Sequence, residues 1–294
     1  MIDLHLHTNN SDGTDTTEEL LINAEKNKLE IISITDHDSI DAYYDIENKN
    51  LRNLYSGKII VGAELKTHYN KVPIEVLAYG IDYTKMKILK IDMYDIQVKA
   101  LEEFKRRGKN LGFKFDDSIT VSRTDNTRKY ASFVFAKEIM KYEENEQLLL
   151  SFGVKCDPVT FYRVHASNKN SVFYYDETEF SDSLDTVVTN IHDAGGLAFI
   201  AHPYLYPFED KNKAIEEMLL EHNLDGLECE YPLFSNEERN ELKLIAKKHN
   251  KFVSGGTDYH AKTKPNVMIG TGIDNNINIS ADLINDWIDK VNLF

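Results

Sequence analysis

The feature that most constrains how this chain folds is a set of short apolar runs that break off at histidines and acids. Met1-Ile-Asp-Leu-His-Leu-His7 is the first. Ile2 and Leu4 mark a strand, and His5 and His7, two residues apart, project to one side of it. Two imidazoles side by side on a buried strand gain little from packing. The arrangement becomes favourable when both stay neutral and turn lone pairs toward one cation. Glu30 to Thr35 reads as a second strand and runs into Asp36-His37-Asp38. Lys58 to Gly62 runs into Ala63-Glu64, Leu197 to Ala201 into His202-Pro203, and Phe252-Val-Ser into Gly255-Gly256-Thr-Asp-Tyr-His260.

Helical periodicity lies between these strands. Thr16 stands three residues before Glu19, a capping signal, and Leu20, Leu21, Ala24 and Leu29 then form one apolar side. Val72 to Tyr79 alternates as a strand, with Glu75 in its middle on the side of Leu77 and Tyr79. Leu184–Asp193 reads as a helix closed by Gly195-Gly196. A helix over about Ala214–His222, a strand over Gly226–Tyr231 and a helix over Asn236–His249 follow. Met268–Gly270 reads as a last short strand, and Ser280 as the cap of a final helix carrying Trp287. The rhythm breaks between about Asp82 and Asp185. Helices are expected there at Ile91–Leu111, around Tyr130–Lys141 and at Glu144–Phe152, followed by an aromatic run, Phe161 to Phe180, without clear periodicity. The class is α/β: residues 1–84 and 184–294 form one alternating unit, and 85–183 a mostly helical insertion packed over its strand ends.

Collected from the strand ends, the candidate metal ligands are His5, His7, Asp12, His37, Glu64, His202, Asp258 and His260, with Glu75 from mid-strand. In a barrel of parallel strands, chemistry gathers at the strands' carboxyl ends. Half of the 10 histidines fall at such places. His68, His165, His192, His222 and His249 do not, and read as solvated or helix-capping. Imidazole mixed with carboxylate suits Mn, Fe or Zn better than Mg or Ca. Glu75, between Ile74 and Val76, needs a cation or a basic partner, because a lone buried carboxylate is costly. His68 is the second choice for that ligand position. Asp36 and Asp38 are expected to orient His37 or cap the next helix. Glu228, inside an apolar strand, is expected to support a ligand and not to be one.

Composition narrows the partners. At 294 residues, 41% hydrophobic and 28% charged, the chain is long enough for a large core. No apolar run approaches the ~20 residues of a membrane span, and a strand beginning at residue 2 leaves no signal peptide to cleave. Cys156 and Cys229 stand outside any CxxC pattern, which fits a reducing cytoplasm. A net charge of -15 opposes binding of long nucleic acid but accommodates a small anion drawn to a metal.

The series His-x-His with Asp12, Thr35-Asp-His-Asp38, Gly62-Ala-Glu64, Ala201-His-Pro203 and Gly256-Thr-Asp-Tyr-His260 resembles the PHP (polymerase and histidinol phosphatase) superfamily. It is most similar to the stand-alone bacterial phosphoesterases that cleave nucleoside 3',5'-bisphosphates or short 5'-phosphorylated RNAs. The resemblance implies a distorted (β/α)7 barrel with two or three divalent transition metal ions. Carried onto this chain, the first ion takes His5, His7, Glu64 and Asp258, and the second Asp12, His37 and His260. Glu64 bridges to a third, held also by His202 and by Glu75, where related enzymes usually have a histidine. The implied chemistry is in-line attack on phosphorus by a hydroxide shared between two metals. His260 or a water protonates the leaving alkoxide. The resemblance also implies a phosphate-gripping arginine at a helix start of the insertion, which Arg128 matches. The second arginine usual after the His-Pro motif is missing, since Tyr204-Leu-Tyr206 stands there. Tyr204 or Tyr206 is left to stack a base, bond a phosphate or simply pack, and Arg123 and Arg163 are candidate replacements that otherwise read as surface charges.

The expected activity is thus hydrolysis of a small phosphorylated substrate, a nucleotide or nucleoside bisphosphate. Histidinol-phosphate phosphatase and 5'-3' exonuclease on short RNA are the alternatives. From other classes come a non-catalytic metal-binding regulatory module and an amidohydrolase, for which Lys66 is a poor carbamate candidate.

Overall fold

The computed structural model describes residues 1–88, 93–122, 131–153, 157–176, 178 and 181–294. The chain opens with β1 (Ile2–Leu6), α1 (Thr17–Lys26), β2 (Ile31–Ile34), α2 (Asp41–Asn48), β3 (Lys58–Tyr69) and β4 (Val72–Tyr79). The middle is helical: α3 (Met93–Leu111), α4 (Ala131–Ile139), α5 (Glu146–Ser151) and the short turn α6 (Pro158–Thr160). Strand–helix alternation then returns with α7 (Leu184–Asp193), β5 (Leu197–Ile200), α8 (Lys211–Glu221), β6 (Gly226–Glu230), α9 (Asn236–Lys248) and β7 (Phe252–Gly255). The predicted helix starts at Ile91 and Tyr130, and Cys156, lie outside the described residues.

Local chemistry sets the helix starts. Thr16 accepts from the Glu19 backbone N–H while the Glu19 carboxylate accepts from that of Thr16, a reciprocal cap. Ser235 and Glu238 repeat the arrangement at α9.

Strands β1 to β7 form one sheet in sequence order. It curls until the segment after β7 meets β1, where Leu6 bridges Tyr259 in the parallel sense. This is the barrel-like α/β fold expected, with one strand reversed: β4 is antiparallel to both β3 and β5. The cause is the two-residue turn Asn70-Lys71, with φ of +49° and +65°, which joins only antiparallel neighbours. The same hairpin carries β3 well past Glu64, so Glu64 is a mid-strand residue and not the strand's end.

Alternation along the strands sorts the side chains. One face of the sheet packs on α1, α2, α7, α8 and α9 through Ile59, Val61, Ala63 and Leu65 of β3 and their neighbours. The opposite face carries Ile60 and Glu64 of β3 and Glu75, Leu77 and Tyr79 of β4. Ile60, Leu77 and Tyr79 pack there with Phe199 and Trp287 as an apolar plug, leaving the acids beyond it. No regular helix carries Trp287. Short 3-10 turns, Ala281–Ile284 and Ile288–Lys290, flank it. The indole stacks 5.4 Å from Tyr79 and donates to the Val253 carbonyl, so docking overrides the local helical pattern. The last predicted strand is half of a small hairpin, β8 (Val267–Met268) with β9 (Gly272–Ile273).

The helices of the middle segment bury a separate apolar cluster that includes Leu101, Phe104, Phe135, Phe161 and Phe173. The tip of the β3–β4 hairpin grips this segment. Thr67 donates to the Asp182 carbonyl, His68 bonds Ser181, and Lys71 pairs with Asp176 at 3.2 Å. No helix among the described residues is long and apolar enough to cross a membrane.

Candidate metal centre

Nine side chains chosen from sequence converge at one end of the sheet. β1 brings His5, and the segment after it brings His7 and Asp12; both histidines are fully buried. His37 follows β2, Glu64 and Glu75 face inward from β3 and β4, His202 follows β5, and Asp258 and His260 follow β7. Glu64 is the hub. Its Oε2 lies 3.2 Å from His5 Nε2, 3.3 Å from His7 Nε2 and 3.1 Å from His37 Nδ1, and its Oε1 lies 3.0 Å from His202 Nε2. Asp258 Oδ1 is 3.3 Å from His7 Nε2, and Asp12 Oδ1 is 3.0 Å from His260 Nε2.

Ligand-type atoms within 4.8 Å of one another fall into four groups: His7, Asp12, His37 and His260; His5, His7 and Asp258; His5, Glu64 and His202; and His37, Glu64 and Glu75. Glu75 is therefore shared, 3.3 Å from His37 Nδ1 and 3.4 Å from His202 Nε2.

The chemistry of these atoms fits a cation. His5 Nε2, His7 Nε2, Asp12 Oδ1 and Glu64 Oε2 are all buried and make no hydrogen bond among the described residues. Buried polar atoms left this way each cost on the order of 1–3 kcal/mol. Four of them meeting lone pair to lone pair is an arrangement that a shared positive charge relieves.

Without a cation, protons take that role. Burial alone pushes the His7 imidazolium down, yet the Asp258 and Glu64 carboxylates outweigh it and raise the pKa to about 9. Glu64 goes the other way: burial opposes its charge, but His37 and His5 hold it well below the ordinary range. Glu75 is pushed up to about 7, first by burial and then by the neighbouring Glu64. His260 is lowered by burial, with His7 and Lys264 adding to the effect.

A second layer fixes the candidate ligands. Glu228, fully buried on β6, bonds His5 Nδ1 at 3.0 Å with one oxygen and accepts the His202 backbone N–H at 2.8 Å with the other. This is the supporting role expected, and it turns His5 Nε2 toward Glu64. Asp36 neither orients His37 through its carboxylate nor caps α2. It accepts from Thr8 N, Thr8 Oγ1 and Ser11 Oγ at 2.7, 2.6 and 2.5 Å, tying down the loop that carries Asp12. Asp38 accepts from Lys66 N instead of capping. Gly256 lets the last strand end approach β1, because a Cβ there would sit 2.4 Å from the His5 backbone nitrogen and from its Cβ. Strained backbone gathers here too, with φ of +26° at His202 and +56° at Asp258.

Other residues fall differently. His68 is held by Ser181, away from the cluster. His222 and His249 cap the C-termini of α8 and α9, as expected. His165 is neither solvated nor capping but buried within the insertion, next to Phe161. Tyr204 turns aside to bond Asn212, while the Tyr206 hydroxyl accepts the Glu75 N–H at 2.8 Å. Arg123 and Arg128 lie outside the described residues. Arg163 is no surface charge: it lines the cleft above the cluster. Sequence reasoning missed two further groups, Tyr231 and Lys264, whose polar atoms lie 2.6 and 2.5 Å from Asp258 Oδ2. Lys264 follows His260 by only four residues, the one signal that would have drawn attention to it.

The cleft has a volume of about 640 Å³ and is lined by both the cluster and the insertion, including Phe133, Tyr162 and Arg163. That size is ordinary for a small-molecule site.

A model of the PHP domain matches residues 3–231. The 5'-3' exoribonuclease Rnm of Escherichia coli is 22% identical over 259 residues, covering 88% of this chain and 84% of that protein. A 3',5'-nucleoside bisphosphate phosphatase of Chromobacterium violaceum is 24% identical over 263 residues, covering 88% and 87%. Among solved structures, one described as a metal-dependent phosphoesterase from Bifidobacterium adolescentis superposes with a TM-score of 0.63 at 24% identity, covering 99% of this chain and 96% of that one. At that identity the likeness shows a shared fold.

Proposed function

The chain belongs to the PHP-domain family, and on that premise we propose that it is a metal-dependent phosphoesterase whose substrate is a nucleotide or nucleoside bisphosphate. The observation that carries the reading is the meeting of buried, unbonded imidazole and carboxylate atoms at the floor of a cleft of small-molecule size. His5, His7, Glu64 and Asp258 would hold one ion, and Asp12, His37 and His260 a second. Glu64 with His202 and Glu75 would hold a third. The donor set suits Mn, Fe or Zn. When bound, such ions supply Lewis-acid neutralisation of phosphoryl oxygens and an acidified water for in-line attack.

The protein's own part is orientation. With His260 Nδ1 donating to the Asp258 carbonyl at 2.8 Å, its Nε2 lone pair faces Asp12. That tautomer supports a ligand role over proton donation to the leaving group. Glu228 fixes the His5 tautomer in the same manner. Phe133, Tyr162 and Arg163 of the insertion wall the cleft above the cluster. A net charge of -15 favours a small anion over long nucleic acid, and the free, buried thiol of Cys229 is in keeping with a cytoplasmic setting. Likeness to the E. coli exoribonuclease favours a second reading, cleavage of short 5'-phosphorylated RNA.

A panel of phosphomonoesters, nucleoside 3',5'-bisphosphates and short 5'-phosphorylated oligoribonucleotides, assayed with Mn, tests the proposal. Turnover of a bisphosphate, abolished in His37→Ala, is the expected result. Wild-type protein that binds Mn yet hydrolyses no member of the panel would identify a metal-binding module without catalysis.

A further inference from the structure

Arg163 lies on the π-helical turn Phe161–Ala166 of the insertion. Phe161 at the head of the turn is fully buried in the insertion's own core, which anchors it. Wide turns of this kind are frequent at functional sites, and here the next two residues, Tyr162 and Arg163, both line the cleft. Arg163 is the one arginine to do so among the described residues.

Its surroundings are unusual for a guanidinium. Arg163 lies close to the Tyr231 hydroxyl, and Tyr231 in turn donates to Asp258 Oδ2 at 2.6 Å. No carboxylate of the described residues forms an ion pair with it. Asp258 and Glu75 attract it from a greater distance, and both belong to the cluster. A half-buried cation without a direct anionic partner is costly. An anion in the cleft would complete it. Neighbouring groups are already engaged: Lys264 is spent on Asp258, the Tyr206 hydroxyl on the Glu75 backbone and Tyr204 on Asn212. The segment after His202-Pro203 thus supplies no cationic anchor, and the insertion supplies one from the opposite wall.

We propose that Arg163 grips a phosphate of the substrate at the edge of the metal cluster, its fork aimed by the Tyr231 hydroxyl. A planar guanidinium matches two phosphate oxygens at once, which a lysine does not. The Arg163–Tyr231–Asp258 chain also ties the aim of that fork to the position of a ligand carboxylate. The inference rests on the phosphoesterase reading, and its test is separable from it.

Inorganic phosphate is titrated calorimetrically into Mn-loaded wild type, Arg163→Lys and Arg163→Met, with Mn content measured in each. Arg163→Met is expected to bind phosphate at least about 10-fold more weakly at unchanged Mn content, and Arg163→Lys to recover part of the loss. With an active substrate from the panel, kcat/KM of Arg163→Met should fall by about 100-fold. Phosphate affinity in Arg163→Met equal to that of wild type would overturn the proposal. So would loss of Mn from both variants, which would mark a structural role. If wild type hydrolyses nothing, the phosphoesterase reading fails, while the phosphate titration still decides the role of Arg163.

Discussion

Replacing Glu228 by glutamine changes one oxygen to an amide nitrogen, yet the geometry turns this into a test of the whole centre. The carboxylate serves two partners: His5 Nδ1 at 3.0 Å and the His202 backbone N–H at 2.8 Å. An amide can accept at one end only. If its NH2 faced His202, two donors would collide in a buried site, a penalty of about 1–3 kcal/mol. The cheaper arrangement points the NH2 at His5 and makes Nδ1 the acceptor. That choice moves the ring proton to Nε2, the atom 3.2 Å from Glu64 that a cation needs as a lone pair. Metal binding must then reverse the tautomer and restore the collision. The expected result is a 10- to 100-fold weaker metal affinity, roughly 1.4–2.8 kcal/mol, with little change in the stability of the metal-free fold. Competition against a chromogenic chelator measures the first, and urea unfolding of chelator-treated protein the second. Wild-type metal affinity in Glu228→Gln would refute the tautomer argument and, with it, the assignment of His5 as a ligand.

Two further outcomes follow from the same centre. Cation binding requires unprotonated ligands, while the metal-free protein holds a proton on His7 up to about pH 9 and on Glu75 up to about pH 7. Metal affinity should therefore rise with pH from 6 to 9, most steeply below 7 where both protons must leave. Calorimetry at pH 7 in buffers of different ionisation enthalpy should detect proton release, and its absence would contradict the ligand set. Gly256→Ala places a Cβ 2.4 Å from the His5 backbone, which cannot retreat because its carbonyl accepts the Asp258 N–H. A loss of roughly 2 kcal/mol of stability together with weakened metal binding is expected. A thermal melt unchanged from wild type would show that the strands can part at no cost.

Much of the centre could be read before any coordinates. Histidines and acids that interrupt apolar strands betray themselves locally, because water-loving groups with no partner nearby in sequence must find one in space. For the same reason the outer helices were legible from their periodicity and caps. Glu75 was visible as a carboxylate out of place, but its route to the centre was not. It depends on β4 running backwards, so that a mid-strand position points at the same spot as the ends of parallel neighbours. Asp36 also shows the limit: its neighbours in sequence suggested His37, while its hydrogen bonds go to Thr8 and Ser11, brought beside it by the pairing of β1 with β2.

By itself the sequence singled out the side chains that meet in the cluster, most of them where strands give way to loops. Tertiary structure alone decided the partners: Glu228 beneath His5, Tyr231 and Lys264 against Asp258, Arg163 across the cleft and Trp287 in the plug. The physical reason is range. Periodicity, caps and turns act over a few residues, whereas the bond between Tyr231 and Asp258 or between Glu228 and His5 exists only once the sheet has curled.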